Sequence, residues 1–341
     1  MQAWLSATLS ARTRERLRAA APLTAGLLVT MLYTLIIYGA MRLNLEPYVS
    51  GVMSVTFLFV FPVAVGACAV AMAPPESRVR FTVWYTLVVP WLSILLLGIV
   101  TLFFALEAIL CVLMALPFFL PLATVGAALA VFLFALLTRT GTNQASGLIL
   151  LLLPLLVGPI ETQLSAPDTL HVVRNSIVIE ASPDAVWRQI IRVPAIGREE
   201  QRGSFLHWIG VPKPIEATLS HEGVGGVRYA SFEQGLVFVE TVNEWEDRRS
   251  IGFSIVRDQS SKPPAPFGEI GGPFFDMLDG RYEIEPLSAN RVILHLSSTH
   301  RVTTRFNWYA GLWTAPIMSE LKQYILAIVK ARSQLPRPVG H

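Results

Sequence analysis

The stretch VVRNSIVIEASPDAVW, residues 172–187, is where this chain changes character. Val173, Ile177 and Ile179 alternate there with polar residues, which is the period-two pattern of a half-buried β-strand. The Ser-Pro pair at 182–183 then supplies an N-cap and a first helical residue. The stretch therefore predicts a strand followed directly by a short helix, and it marks the start of a new hydrophobic core.

The sequence before this stretch differs in composition from the sequence after it. The chain has 341 residues, of which 53% are hydrophobic and 15% charged. Residues 1–160 contain 8 Arg, no Lys and 4 Glu, whereas residues 161–341 carry 19 basic and 20 acidic side chains. We therefore predict a multi-pass membrane domain over 1–165 and a water-soluble domain over 166–341. Because the second domain has no excess of basic residues, we expect no nucleic-acid partner.

Four or five membrane spans fit the apolar runs of the first domain. The runs 22–41 and 51–73 and the tract 81–138 are together long enough for four crossings of a hydrocarbon core of about 30 Å. A further run, 147–160, is short and contains prolines, so it either crosses or re-enters the bilayer. Glu107 is expected to mark the turn that divides the long tract into two spans.

The arginines that flank these runs predict an orientation in the plasma membrane, or the inner membrane of a bacterium. Arginines at 12–18, 78–80 and 139 fall on one side in a five-span arrangement, and only Arg42 falls on the other. The positive-inside rule then places the second domain on the periplasmic or extracellular side. A four-span arrangement leaves it in the cytoplasm, and we favour five spans. The long apolar sequence after the first arginines argues against a cleavable signal peptide.

Strand patterns recur through the second domain after its opening strand and helix. We predict about six further antiparallel strands and a terminal helix of about 25 residues. One apolar stripe is predicted on that helix from residues that recur at helical spacing: Trp313, Ile317, Leu321, Tyr324 or Ile325, and Ile328. The fold class is therefore an all-α transmembrane bundle followed by an α+β domain. In that domain a curved antiparallel sheet surrounds the C-terminal helix, which covers its apolar face.

Motifs of established catalytic chemistry are missing from the sequence. It contains no nucleophile elbow, no phosphate-binding loop and no His-Glu-x-x-His. The 6 histidines lack the spacing of metal ligands, so we expect neither a metal nor a cofactor. Cys68 and Cys111 both lie in apolar runs, which leaves the second domain without a disulfide framework.

Strand parity provides the best candidate site. In LVFVETVNEWE, residues 236–246, Glu240 lies on the same face as Phe238 and Val242. An acid in an apolar row is costly unless it is paired, and Arg228 on the preceding strand is the expected partner. The pair either orients a ligand's carbonyl or hydroxyl group in a cavity or performs acid/base work there. The alternative is a structural salt bridge or a solvated face of the sheet.

The second domain resembles the SRPBCC superfamily, the helix-grip fold of START-type lipid-transfer domains and polyketide cyclases. The resemblance covers about residues 171–333 and rests on VVRNSIVIEASPDAVW, GVGGVRYASFEQG with FVETVNEWE, GRYEIEPL, NWYAGLW and LKQYILAIVKAR. It implies a hydrophobic ligand pocket between sheet and helix, although a fold alone does not imply an activity. The membrane domain departs from the usual soluble members of the superfamily.

Further candidate ligand-binding residues follow from this resemblance. It implies that Arg281 and His300, on late strands, border the pocket, and the imidazole of His300 is suited to acid/base work. Trp208, near the expected mouth, and Trp313 would line the pocket. Aromatic residues at such spacings are equally consistent with an ordinary core or with the bilayer interface.

The expected function is that of a membrane-anchored domain that binds a hydrophobic small molecule or a membrane lipid. One alternative is an enzyme of cyclase or hydratase type that uses Glu240, Arg228 and His300, whose side chains must then converge on one pocket. Another alternative is a non-catalytic module that binds a partner protein at the membrane. The short connection GPIETQLSAPDTL, residues 158–170, would keep the domain close to the lipid surface.

Overall fold

The structure, a computed structural model, describes residues 11–43, 51–73, 82–139, 145–200, 205–261, 263 and 270–335. The side chains of 11–22, 137–139 and 145–149 fall outside this description. The chain forms two compact units, of which the first lies within residues 1–165 and the second contains residues 166–341.

The described part of the first unit is helical. Its elements are α1 (Ala11–Arg42), a π-helical turn (Thr56–Val60) continued by α2 (Phe61–Ala71), α3 (Val83–Phe103), α4 (Ile109–Arg139) and α5 (Ala145–Thr162). The turn expected at Glu107 is confirmed, because α3 ends and α4 begins on either side of it.

Three segments of the described residues are long and apolar enough to cross a membrane, namely Leu23–Arg42, Val83–Phe103 and Ile109–Leu136. Two shorter apolar helices accompany them, Thr56–Ala71 and Leu150–Thr162. The expected count of four or five spans is therefore not confirmed. The second apolar run falls short because its helix begins only near Thr56, and whether the two shorter helices cross stays a prediction.

Two glycines allow α2 and α4 to approach closely. A Cβ atom on Gly66 would lie 1.8 Å from the carbonyl oxygen of Ala123, and one on Gly126 would lie 1.9 Å from that of Val63. Neither position has room for any side chain. The helix backbones can thus touch, as they do at small-residue contacts between membrane helices.

Glu161, near the end of α5, is buried and caps the start of the π-helical turn. Its Oε1 accepts a hydrogen bond from the N–H of Val55 at 2.6 Å. Its Oε2 accepts one from the N–H of Thr56 at 2.8 Å and one from the Thr56 hydroxyl at 2.6 Å. The first N–H groups of a helix have no partner within the helix, and a carboxylate complements the positive end of the helix dipole. The carboxylate therefore ties the end of one helix to the start of another.

The second unit, as described, combines one curled antiparallel sheet with a long helix and two short ones. Its elements are β1 (Asp168–Ile179), α6 (Pro183–Ile191), α7 (Phe205–Trp208), β2 (Pro214–Leu219), β3 (Val227–Phe232), β4 (Val237–Glu246), β5 (Ser250–Arg257), β6 (Phe275–Ser288), β7 (Arg291–Thr303) and α8 (Asn307–Ser333). The strand order is β1-β7-β6-β5-β4-β3-β2, and all neighbours are antiparallel. The predicted succession of strand, helix, six strands and helix is confirmed.

The opening stretch of this unit folds as its pattern predicts. β1 ends at Ile179, and the Ser182 hydroxyl then accepts a hydrogen bond from the N–H of Ala185 at the start of α6. α6 buries Trp187 against the sheet, where its ring meets that of Trp245 edge-on at a centroid distance of 5.1 Å. The helix thereby closes one end of the core.

The long helix α8 packs across β1 and β7, but its buried stripe differs from the predicted one. Three predicted members are only partly buried, namely Trp313, Ile317 and Leu321. The buried residues at the same helical spacing are Met318, Lys322, Leu326 and Val329. Two predicted members, Tyr324 and Ile328, are buried and pack with Ile196, so the predicted stripe is confirmed only in the last turns of the helix. Pro316 lies within this helix without ending it.

Candidate functional site

Arg228 on β3 and Glu240 on β4 stand opposite each other in the strand register, and their side chains form an ion pair. The Arg228 side chain is 6% exposed and that of Glu240 is 12% exposed. Although burial acts to lower the pKa of Arg228, the attraction of Glu240 and Tyr282 raises it above its ordinary value. The pairing predicted from strand parity is therefore present.

Aromatic rings surround this pair on the inner face of the sheet, the face that α8 covers. The Arg228 guanidinium lies over the ring of Phe253, 5.1 Å from its centroid. Phe238, two residues before Glu240, is buried and contacts Phe232. Nε of Arg228 is buried and has no hydrogen-bond partner among the described residues. The ion pair thus lies among apolar side chains, and the Nε–H group of Arg228 remains available to donate a hydrogen bond.

His300 on β7 is fully buried and stacks on His171 of β1, with ring centroids 5.3 Å apart and planes inclined by 19°. Nε2 of His300 lies 3.2 Å from the hydroxyl of Thr314 on α8. Nδ1 of His300 and Nε2 of His171 have no hydrogen-bond partner in the described part of the chain. Burial, followed by the proximity of His171 and Lys322, lowers the pKa of His300 to about 4, so this imidazole is neutral at pH 7.

Lys322 on α8 is almost fully buried. Its ammonium group donates one long hydrogen bond, 3.4 Å, to the carbonyl oxygen of Met318 in the preceding turn. Its contacts with the other described residues include no ion pair with a carboxylate. Burial lowers the pKa of Lys322 to about 8, against the opposing attraction of Asp279.

Two further polar side chains complete this region. The hydroxyl of Ser298, which lies two residues before His300 and so on the same face, is buried without a hydrogen-bond partner among the described residues. Asn175 on β1 donates a hydrogen bond to the Ser319 hydroxyl of α8 at 2.9 Å, while its Oδ1 is buried and unpartnered within the same described residues. We refer to five residues as the interior polar cluster: His171, Asn175, Ser298, His300 and Lys322.

The interior polar cluster occupies one end of the space between sheet and helix. On β7 the inward residues Val292, Leu294 and Leu296 are apolar, and the next two are Ser298 and His300. On α8, likewise, the residues that belong to the apolar core of the sheet, Leu326 and Val329, come after Lys322 in the sequence. Sequence reasoning missed four of the five members of the cluster. The parity of β1 and β7 could have indicated the strand residues, whereas Lys322 interrupts the apolar pattern by which a buried stripe is recognised.

Arg281 does not border this interior, contrary to expectation. Its neighbour Tyr282 points inward and is buried, so Arg281 projects from the opposite face of the sheet, where its side chain is 41% exposed. There it forms ion pairs with Glu244 and Glu283, each at 2.9 Å. Bonding to Glu244 is the largest cause of the raised pKa of Arg281, and the residue acts as a surface link between strands.

The two tryptophans proposed to line a pocket make ring contacts with residues near them in the sequence. Trp208, at the end of α7, is 68% exposed and contacts Phe205. Trp313 is partly buried and meets Tyr309, four residues before it on α8, with ring centroids 6.3 Å apart. Among the described residues their ring contacts are with Phe205 and with Tyr309, and a role in ligand binding stays a prediction for both.

The residues required by an acid/base mechanism do not converge. Glu240 lies on β4 and His300 on β7, with β5 and β6 between them, so three strand spacings of about 4.8 Å separate their backbones. Glu240 forms an ion pair with Arg228. His300 lies within hydrogen-bond distance of Thr314 and stacks on His171. Among the described residues there is also no group of three or more His, Cys, Asp or Glu that could hold a metal ion.

Known proteins resemble this chain in structure but not in detectable sequence. No family model and no curated protein matches it. Similar solved structures include a norcoclaurine synthase from Thalictrum flavum, at 13% identity over 51% of this chain and 99% of that one, with a TM-score of 0.32. A START superfamily protein from Mycobacterium smegmatis is 12% identical over 48% and 97%, with a TM-score of 0.30. An aromatase/cyclase from a Streptomyces species is 14% identical over 50% and 99%, with a TM-score of 0.30. Similarity of this degree carries no argument about activity.

Proposed function

We propose that residues 166–341 form a domain that binds an apolar small molecule or a lipid between the inner face of the sheet and α8. The observation that carries the proposal is the set of buried, unpartnered polar atoms in the interior polar cluster: Nε2 of His171, Oδ1 of Asn175, Oγ of Ser298 and Nδ1 of His300, counted over the described residues. Each such atom costs on the order of 1–3 kcal/mol. A bound polar group would satisfy several of them together.

The apolar helices of the first unit support the membrane as the source of such a ligand. We propose that residues 1–165 anchor the chain in the plasma membrane, or inner membrane of a bacterium, by several passes, and that the second domain is periplasmic or extracellular. The arginine distribution supports this orientation. A ligand could then pass from the bilayer to the domain without a long path through water.

A cyclase or hydratase that uses Glu240, Arg228 and His300 as one catalytic set is not favoured. Their positions on separated strands leave no shared hydrogen bond. General acid/base catalysis requires both groups within reach of the same reacting atoms.

Native mass spectrometry of the detergent-purified full chain tests ligand binding. We expect an apolar molecule to remain bound to the wild-type protein. Ser298→Leu should displace it, because this side chain points into the interior, whereas Ser297→Leu, on the outward face of the same strand, should retain it. A wild-type protein that carries nothing and takes up no fluorescent fatty-acid probe would rule out the proposed function.

A further inference from the structure

Lys322 is a buried cation on a helix face that otherwise carries apolar residues. It lies one turn after Met318 and one turn before Leu326, both of which are buried. Removing an ammonium group from water costs several kcal/mol unless an anion compensates it. The described contacts of Lys322 supply one distant carbonyl oxygen, and no carboxylate among the described residues forms an ion pair with its ammonium group.

The groups around Lys322 are neutral or are hydrogen-bond donors. His300 is neutral at pH 7 because of its lowered pKa, and the Ser298 hydroxyl can donate. Asp279, whose attraction acts on the pKa of Lys322, is exposed and accepts a hydrogen bond from the N–H of Thr299 at 2.9 Å. The interior polar cluster therefore presents the ammonium group of Lys322 beside a neutral imidazole and a hydroxyl that can donate.

The acid on the inner face of the described sheet next to the aromatic residues, Glu240, is not free to neutralise this charge. Glu240 is committed to Arg228, its ion-pair partner on the adjacent strand. Beside Ser298 in the register is Gly280, over which the side chain of Ile255 packs: a Cβ on this glycine would lie 3.3 Å from Cδ1 of Ile255. This register position on β6 therefore contributes no charge to balance that of Lys322.

We infer that Lys322 binds the anionic head group of an amphiphilic ligand, a carboxylate or phosphodiester that carries one negative charge. Ser298 donates a hydrogen bond to the head group, and the apolar body lies against the aromatic and aliphatic inner face. One lysine matches one negative charge, which favours these two groups over a doubly charged phosphate monoester. The inference rests on the proposed function and deepens it by naming the class of ligand.

Binding of three probes to the delipidated full chain in neutral detergent tests this inference. The probes are oleate, oleyl alcohol and phosphatidylglycerol. The affinity of each is measured by isothermal titration calorimetry or by displacement of a fluorescent fatty acid. We expect the wild-type protein to prefer an anionic probe over oleyl alcohol by at least about tenfold, the order of one charge-assisted hydrogen bond. Preference for oleate identifies a carboxylate head group, and preference for phosphatidylglycerol identifies a phosphodiester.

Lys322→Met should remove the preference while it leaves the affinity for oleyl alcohol within about twofold. Lys330→Met, two turns further along α8, is the matched control and should behave as wild type. Equal affinity of the wild-type protein for charged and neutral probes would overturn the inference and leave the proposed function standing. Failure to bind any of the three would overturn the proposed function itself. The wild-type comparison needs no variant, so a Lys322→Met protein that fails to fold would not prevent a decision.

Discussion

His300 makes the stability of the second unit depend on pH. Its pKa is about 4 in the folded chain and 6.5 when unperturbed, so between these values the unfolded chain binds a proton that the folded one excludes. Stability is therefore full above about pH 6.5 and falls as the pH drops towards 4, by on the order of 3 kcal/mol. His171 on β1, Lys322 on α8 and Phe275 on β6 face this imidazole.

Thermal unfolding of the full chain in detergent, recorded from pH 7 to pH 4, measures this effect. His300→Gln keeps a hydrogen-bonding group for Thr314 but cannot titrate, so its melting temperature should fall less than that of the wild type. His295→Gln, on the outward face of the same strand, should retain the full decrease attributed to His300. An identical pH profile for His300→Gln and the wild type would contradict the assignment.

The Arg228–Glu240 pair stabilises the fold mainly by mutual neutralisation. Arg228→Met alone should lower the free energy of unfolding by about 3–5 kcal/mol, because it leaves a buried carboxylate unpaired. Arg228→Met combined with Glu240→Leu should cost much less than the single change. A double-mutant cycle of unfolding midpoints checks this, and purely additive effects would show that the two side chains act independently.

The sequence predicted this pair but missed Lys322, for a physical reason. Arg228 and Glu240 meet through a short hairpin, so strand parity alone places them on one face. Lys322 shares a helix face with Met318 and Leu326, and the burial of that face is set by packing between distant parts of the chain. Arg281 is expected to face inward when only its position on a late strand is considered. The alternation of side chains along β6 places it on the outward face.

At the scale of elements, the helix cap at Glu161 joins α5 to the start of the π-helical turn. Glu161→Ala should leave the N–H groups of Val55 and Thr56 without this acceptor and destabilise the first unit by about 1–3 kcal/mol. Glu161→Gln keeps one acceptor oxygen and should cost less. The melting temperature in detergent measures both, and equal losses for the two variants would indicate that charge, not acceptor number, dominates.

Strands and helices of the second unit were predictable because their periods are local properties of the sequence. The alternation of Val173, Ile177 and Ile179 and the Ser182 cap specify β1 and α6 before any tertiary contact forms. Helix lengths in the first unit were less predictable. An apolar run need not be helical throughout, as the delayed start of helix at Thr56 demonstrates.

For the whole molecule, the number of spans decides which compartment the second domain occupies. Five crossings place the C-terminus opposite the N-terminus, and four place both on the same side. We expect an alkaline phosphatase fused after His341 to be active and a cytoplasmic fluorescent reporter at that position to be dark. The reverse pattern would indicate an even number of crossings, with one of the two shorter helices remaining within a single leaflet.

Pro316 divides α8 into two parts that need not open together. Proline has no N–H, so the carbonyl oxygen of Leu312 loses its partner in the helix, and the first turns are joined to the rest by one bond fewer. Those turns carry Thr314, which contacts His300. We expect the amide hydrogens of residues 307–315 to exchange with deuterium faster than those of 317–333, and Pro316→Ala to reduce the difference. Local opening of these turns would uncover the interior polar cluster while the rest of the core stays folded. The rate of this opening, which depends on the proline, would then determine the residence time of a bound molecule.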